Sequence, residues 1–438
     1  MKSSWLSRSS RITRTGLRRR PGHPHRVLST TSSASDVERV QVRCGSSGFV
    51  TIDLHDLRKH SDSTPLLIHL PPFAVPADDL PHRPIFLHRY PTAVINYRWT
   101  GPSSLTGGPN AATPQVGHLD TPLHWPTPLH DVSFAYKWIT ENLSPPKMGR
   151  RDVYVHGSYL GATLAASLAL TESHSHARMG VRGFIAYNGI YNWTMFLPEH
   201  KINKPTAASR SRAKTATAQP VEGSTLRFLE QHMPVWFNSP AGLFDPFASP
   251  CLFFQTSGML VPPSFAQMDA LSAMVDKLAA LGINGSPADL MMSSASMFKA
   301  PRRSALVFPP RKSTLKIPAG LLLHDTAEVV SSAKKGKART TKTASSSSGA
   351  VVKRRRRKVR GNHFEAQATE LGGLMRRSLE KLEIPLRMKW DEDLTDGDEV
   401  VRARVKVEDV GEPKSEPMEV NERGEELIRR WLEERILL

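Results

Sequence analysis

Apolar and polar residues alternate along residues 40–54 (VQVRCGSSGFVTIDL), and the alternation breaks at Gly45-Ser46-Ser47-Gly48; this predicts a β-hairpin turned at those four residues. Two short apolar runs without alternation come next: residues 65–70 (PLLIHL), stopped by Pro71 and Pro72, and residues 92–99 (TAVINYRW), bounded by Pro91 and Gly101. Runs of this kind predict strands covered on both faces. A Pro/Gly-rich stretch over residues 101–128 leads into residues 129–142, where Val132, Ala135, Tyr136, Trp138 and Ile139 recur at helical spacing. A strand at residues 153–155, a helix over 162–170 and a strand at 181–187 complete an alternating series.

The rhythm is lost over residues 192–311, which hold many aromatics (Trp193, Phe196, Trp236, Phe237, Phe244, Phe247, Phe253 and Phe254) and one amphipathic helix at 265–281. We expect a cap insertion here, its aromatics more readily core than pocket lining. The alternation then resumes with a strand at 317–323, a helix over 364–382, strand-like runs at 385–390 and 400–410 and a terminal helix at 422–436. Strands alternating with helices predict an α/β domain over residues 40–438, a mostly parallel sheet flanked by helices. No run approaches the eighteen or so apolar residues of a membrane span.

The net charge of +18 suggests a polyanion partner until it is located. Residues 1–35 carry eight Lys/Arg and residues 331–360 carry twelve, with no acid in either, so the rest of the chain sits near −2. Nucleic-acid contact is therefore expected only through 331–360, where Lys/Arg mixed with the serine run 345–348 predicts a disordered insertion. Lys353-Arg354-Arg355-Arg356-Arg357-Lys358 has the form of a nuclear-import signal. The Arg/Ser-rich leader has no acid before Asp36, the composition of a mitochondrial transit peptide, so mitochondrial localisation is expected, with a nuclear or cytoplasmic one as alternative. Two cysteines, Cys44 and Cys251, supply no disulfide framework.

Residues 151–172 (RDVYVHGSYLGATLAASLALTE) read as a buried strand, a glycine-bracketed turn and an alanine-rich helix. That is the layout of a nucleophile elbow, G-x-nucleophile-x-G, with Gly157 and Gly161 as its glycines. Tyr159 then stands at the apex and Ser158 one place early. A phenol has a pKa of about 10 and a far longer reach than a serine hydroxyl, so Tyr159 overshoots the point of attack. No phosphate loop, dinucleotide fingerprint or Cys/His metal spacing appears, and no cofactor is expected. His118, Asp120, His124, His130 and Asp131 are metal-ligand residue types, but their spacing is irregular and no metal is expected.

In order along the chain, three blocks together resemble the α/β-hydrolase fold, in its hormone-sensitive-lipase-like esterase branch. These are the strand and proline turn at residues 65–73, the stretch from Asn96-Tyr97-Arg98 through His124-Trp125-Pro126-Thr127-Pro128 to Asp131, and the elbow at 153–164. The likeness spans residues 60–330, and the chain is also similar to fungal proteins of this fold that carry a serine-rich basic insertion. The resemblance implies a carboxylic ester hydrolase, its nucleophile at Ser158 or Tyr159, its acid at Asp325 and its base at His324 or His363. Backbone N–H groups of Phe73 or Leu160 would form the oxyanion hole, since Pro71 and Pro72 have none to give. In this fold the histidine belongs after the last strand, yet no histidine follows His363. We therefore expect a degenerate elbow with little or no catalysis; the alternative is a divergent esterase that takes a small hydrophobic ester beneath the cap. In the first case Asp325 is a strand-end or capping residue and the histidines are ordinary polar positions.

Overall fold

The computed structural model describes residues 37–45, 48–75, 81–100, 123–146, 149–203, 225–261, 301–326, 361–391, 396–414 and 418–436. The leader, the helix expected at 265–281 and the basic insertion 331–360 lie outside these residues.

The expected hairpin forms from β1 (Val37–Arg43) and β2 (Phe49–His55), paired antiparallel from Val37 opposite His55 to Arg43 opposite Phe49. The remaining strands are β3 (Leu66–Leu70), β4 (Thr92–Asn96), β5 (Arg151–Ser158), β6 (Met179–Tyr187), β7 (Ala319–Asp325) and β8 (Val405–Gly411). They form one eight-stranded sheet in the order β1-β2-β4-β3-β5-β6-β7-β8, parallel throughout from β4 to β8. All five residues of β3 and of β4 are buried, as unbroken apolar runs require of strands covered on two sides.

Helices α1 (Thr127–Asn142), α2 (Leu160–Glu172) and α4 (Phe364–Ser378) pack on one face, with α3 (Thr225–Phe237) beyond them. The other face is covered by residues 85–89 and by the terminal helix α7 (Glu422–Ile436), through Phe86, Leu87, Ile428, Trp431 and Leu432. The alternation of β5 divides it between the two cores: Val153 and Val155 join the first, Tyr154 the second.

Two expected elements differ. Residues 384–387 are a short helix, α5, that continues a π-helical turn running on from α4, so the strand-like run at 385–390 is not a strand. Within 400–410 the first residues belong to helix α6 (Gly397–Arg404), whose start is capped by Asp396 accepting from the N–H groups of Asp398 and Glu399. The valines of VRARVKV suit a strand, but this cap carries the helix through Arg404 before β8 begins.

The aromatics between β6 and β7 are largely core: Trp193, Trp236 and Phe237 are buried, and Trp236 packs on Trp99 at 5.8 Å and Trp193 at 6.0 Å. The Trp236 carbonyl accepts from the Trp99 indole and from the Trp125 backbone, which fixes α3 against the loops below it.

Candidate functional site

β5 ends at Ser158 and α2 begins at Leu160, leaving Tyr159 alone to turn the chain at φ 50°, ψ −112°. The glycines allow the turn because strand, helix and neighbouring loop nearly touch. A Cβ on Gly157 would lie 2.3 Å from the Gly161 carbonyl oxygen, and one on Gly161 would lie 2.3 Å from that of Pro71. The elbow backbone is thus fully built, in a strained conformation that a non-glycine residue adopts only when its surroundings enforce it.

Two of its backbone donors are spent. The Leu160 N–H, the one that follows the apex, donates to the Pro72 carbonyl at 3.2 Å, and the Tyr159 N–H donates to the Tyr187 carbonyl at 2.9 Å. The Pro71 carbonyl accepts from the Tyr97 hydroxyl at 2.9 Å. Where an oxyanion hole needs free N–H groups, the proline turn presents carbonyl oxygens, which repel developing negative charge. Leu160, expected as an oxyanion donor, is therefore committed elsewhere. Phe73 is placed by its ring, stacked on the Tyr159 ring at 6.0 Å and packed against Phe228 at 6.1 Å.

Tyr159 is almost fully enclosed. Its ring meets Tyr187 edge-on at 5.8 Å and Phe364 at 5.7 Å, and burial pushes its phenol up to about 12. Its hydroxyl accepts from Asn188 Nδ2 at 3.3 Å. Asn188, just past the end of β6 at φ 49°, donates through the same nitrogen to Asp325 Oδ2 at 2.7 Å, and its Oδ1 accepts from the Asp325 N–H at 3.0 Å. Asp325 Oδ1 accepts from the Tyr187 hydroxyl at 2.8 Å. Burial raises the Asp325 carboxyl despite these two donors.

The other expected site residues are dispersed. Ser158 is the last residue of β5, opposite Tyr187 of β6 and buried, and its Oγ makes no hydrogen bond with the described residues. His324 precedes Asp325 within β7, with Nδ1 3.1 Å from the Asp325 carbonyl oxygen. His363 caps α4: its Nδ1 accepts from the Ala366 N–H at 3.1 Å, which uses the lone pair a general base would need at that nitrogen. Both oxygens of Asp325 are thus engaged by Tyr187 and Asn188 and not by an imidazole.

Of the five residue types noted as metal ligands, His118 and Asp120 lie outside the described residues. Asp131 spends its oxygens on Arg98, accepting from Nη2 at 2.6 Å, Nε at 3.0 Å and the backbone N–H at 2.8 Å. Among the described residues no group of three or more His, Cys, Asp and Glu side chains is placed to hold a metal ion.

Sequence reasoning missed Asn188, which joins the apex to the acid, and a buried histidine pair under the elbow. His69 of β3 and His156 of β5 face each other in register with Nδ1 atoms 2.9 Å apart, each one residue short of the segments that form the turn. Both Nε2 atoms are buried without a hydrogen bond, and burial pushes His156 down to about 3 and His69 well below its ordinary value. The sequence signal for Asn188 is slight: an asparagine before a glycine at a strand end favours a positive φ, but does not reveal its partners.

No family model matches the sequence, and no curated protein matches it. Among solved structures, it is similar to an esterase of Pyrobaculum calidifontis at 16% identity and a TM-score of 0.30, over 49% of this chain and 61% of that one. It is similar to the esterase LipW of Mycobacterium marinum at 19% identity and 0.29, over 57% and 71%. It is also similar to brefeldin A esterase, a bacterial homologue of human hormone-sensitive lipase, at 17% and 0.31, over 51% and 58%. The aligned part is thus 61% of the length of the first of these. A mostly parallel eight-stranded sheet, helices on both faces, and a one-residue, glycine-bracketed turn from β5 into α2 together give the described residues an α/β-hydrolase-like fold.

Proposed function

We propose that this domain keeps the elbow as architecture and acts as a binding or scaffold protein, without serine-hydrolase turnover. The observation that carries the proposal is the Leu160 N–H donated to the Pro72 carbonyl. A tetrahedral oxyanion there would have to displace a carbonyl oxygen from its donor. Losing a single oxyanion-hole donor costs about 100- to 1,000-fold in turnover in a working hydrolase. The nucleophile adds to this: Tyr159 is an un-ionised phenol, and the amide of Asn188 cannot relay a proton as an imidazole does.

A second reading, hydrolysis of a small hydrophobic carboxylic ester, draws on one observation: Asp325 reaches the apex hydroxyl through Asn188. A fluorophosphonate probe separates the two. We expect the folded protein to remain unlabelled, with peptide mapping by mass spectrometry showing no adduct on Ser158 or Tyr159. A stoichiometric adduct on Ser158, absent from Ser158→Ala, would establish the esterase reading.

A further inference from the structure

A concave cavity of about 420 Å³ opens beside α4, away from the elbow, between that helix and residues 301–305. Its volume falls in the range of about 300–1,000 Å³ usual for small-molecule sites. One wall is preformed: the Thr256 N–H donates to the Ser304 carbonyl at 2.9 Å, the Leu306 N–H donates to the Phe254 carbonyl at 2.7 Å, and the Ser304 N–H donates to Thr256 Oγ1 at 2.9 Å. Residues between Thr369 and Arg377 of α4 form the rest of the lining, together with Lys201.

The lining is donor-rich. Lys201, Arg303 and Arg377 bring three positive charges, against the single carboxylate of Glu370. That carboxylate is already occupied: Oε1 accepts from Gln255 Nε2 at 2.9 Å and from Arg303 Nη2 at 2.5 Å, and Oε2 accepts from Asn192 Nδ2 at 3.1 Å. Pairing Arg303 with Glu370 leaves Lys201 and Arg377, neither of which forms an ion pair or hydrogen bond with a described residue. The Arg303 Nε is buried and has no hydrogen-bond acceptor. Ser304 and Thr369 add hydroxyl groups at the rim. Two cations thus line one hollow without an ion pair among the described residues, while its one carboxylate is saturated.

We propose that this cavity binds a small soluble phosphate monoester, its dianion held by Lys201 and Arg377 and its ester group seated in the remaining volume. Two unpaired cations match a doubly charged oxyanion, and a guanidinium offers the paired N–H donors that a phosphate accepts. The assignment is independent of whether the elbow turns over.

The test is titration calorimetry on the full chain at low ionic strength, with inorganic phosphate, glycerol 3-phosphate and, as ionic-strength control, sodium chloride. Saturable binding of both phosphates is expected, tighter for glycerol 3-phosphate, and at least tenfold weaker in Lys201→Gln/Arg377→Gln. Both side chains are exposed, so circular dichroism of the variant should match the parent. Heat equal to that of the chloride control, glycerol 3-phosphate no tighter than inorganic phosphate, or a folded variant that binds like the parent would each overturn the proposal.

Discussion

The elbow and the cavity beside α4 are both polar sites in the same fold, and they treat their polar groups in opposite ways. At the elbow, the carboxylate, amide, phenols and turn N–H groups are consumed by one another under a cover of aromatic rings. In the cavity one carboxylate is saturated and two cations are left over. A polar cluster that closes on itself holds a fold together, whereas the unmatched charges of the cavity are what we propose to meet a phosphate.

The contrast breaks most sharply at Gly161. Gly161→Ala would put a methyl 2.3 Å from the Pro71 carbonyl oxygen and 2.4 Å from that of Leu70, both backbone atoms. We expect a loss of about 4 kcal/mol or more in urea unfolding, the scale of overpacking with backbone strain. A loss under about 1 kcal/mol would mean the elbow is loosely packed and able to adapt to substrate.

Acid is the next lever. His69 and His156 are held neutral when folded, so the unfolded chain takes up protons first as pH falls below the ordinary histidine value of 6.5. Their contribution is therefore intact above pH 6.5 and is lost progressively from there toward pH 3. At pH 5 the loss is about 2 kcal/mol for His156, with His69 acting in the same direction, read as a lowered urea midpoint. In His69→Leu/His156→Leu the midpoint should vary less between pH 7.5 and pH 5; an unchanged slope would show that other groups govern acid stability.

Tyr159→Phe removes a hydroxyl that accepts from Asn188 Nδ2 at 3.3 Å, and should cost about 1 kcal/mol. Probe labelling should remain absent in this variant as in the parent. The smallest effect is expected in the cavity itself: Lys201→Gln/Arg377→Gln should change stability by no more than about 0.5 kcal/mol. A ligand site can be emptied of charge in this way without disturbing the fold, which a structural cluster does not allow.

Most of the sheet was legible because its strands are apolar runs ended by prolines or glycines, as at Leu66–Leu70 before Pro71. The α4 helix and the terminal helix were legible from their periodicity. The short helix after the π-helical turn was not, because a run such as Ile384–Arg387 carries too little period to separate helix from strand. The elbow showed itself through two glycines four residues apart, with Tyr159 at the apex and Ser158 one place before it. The bond partners of the apex were not legible. Asn188 and Asp325 are 137 positions apart, and nothing local to either announces the bond. The proline pair was legible as a lack of donors, but the Pro72 carbonyl reaching Leu160 is a fact of packing. The cavity was missed altogether, since Lys201, Arg303 and Arg377 come from three separate stretches of the chain.

The strand ends at the elbow are also a seam. The Tyr159 N–H catches the Tyr187 carbonyl, the Asn188 N–H catches the Leu323 carbonyl, and the Asp325 N–H catches the Asn188 side chain. Each strand is hooked to the next past its last ladder bond, so the carboxyl edge of the sheet is hemmed where an unfastened sheet would fray. Under a pulling force applied across β5, β6 and β7, that edge would share the load among all three strands and give way as one piece.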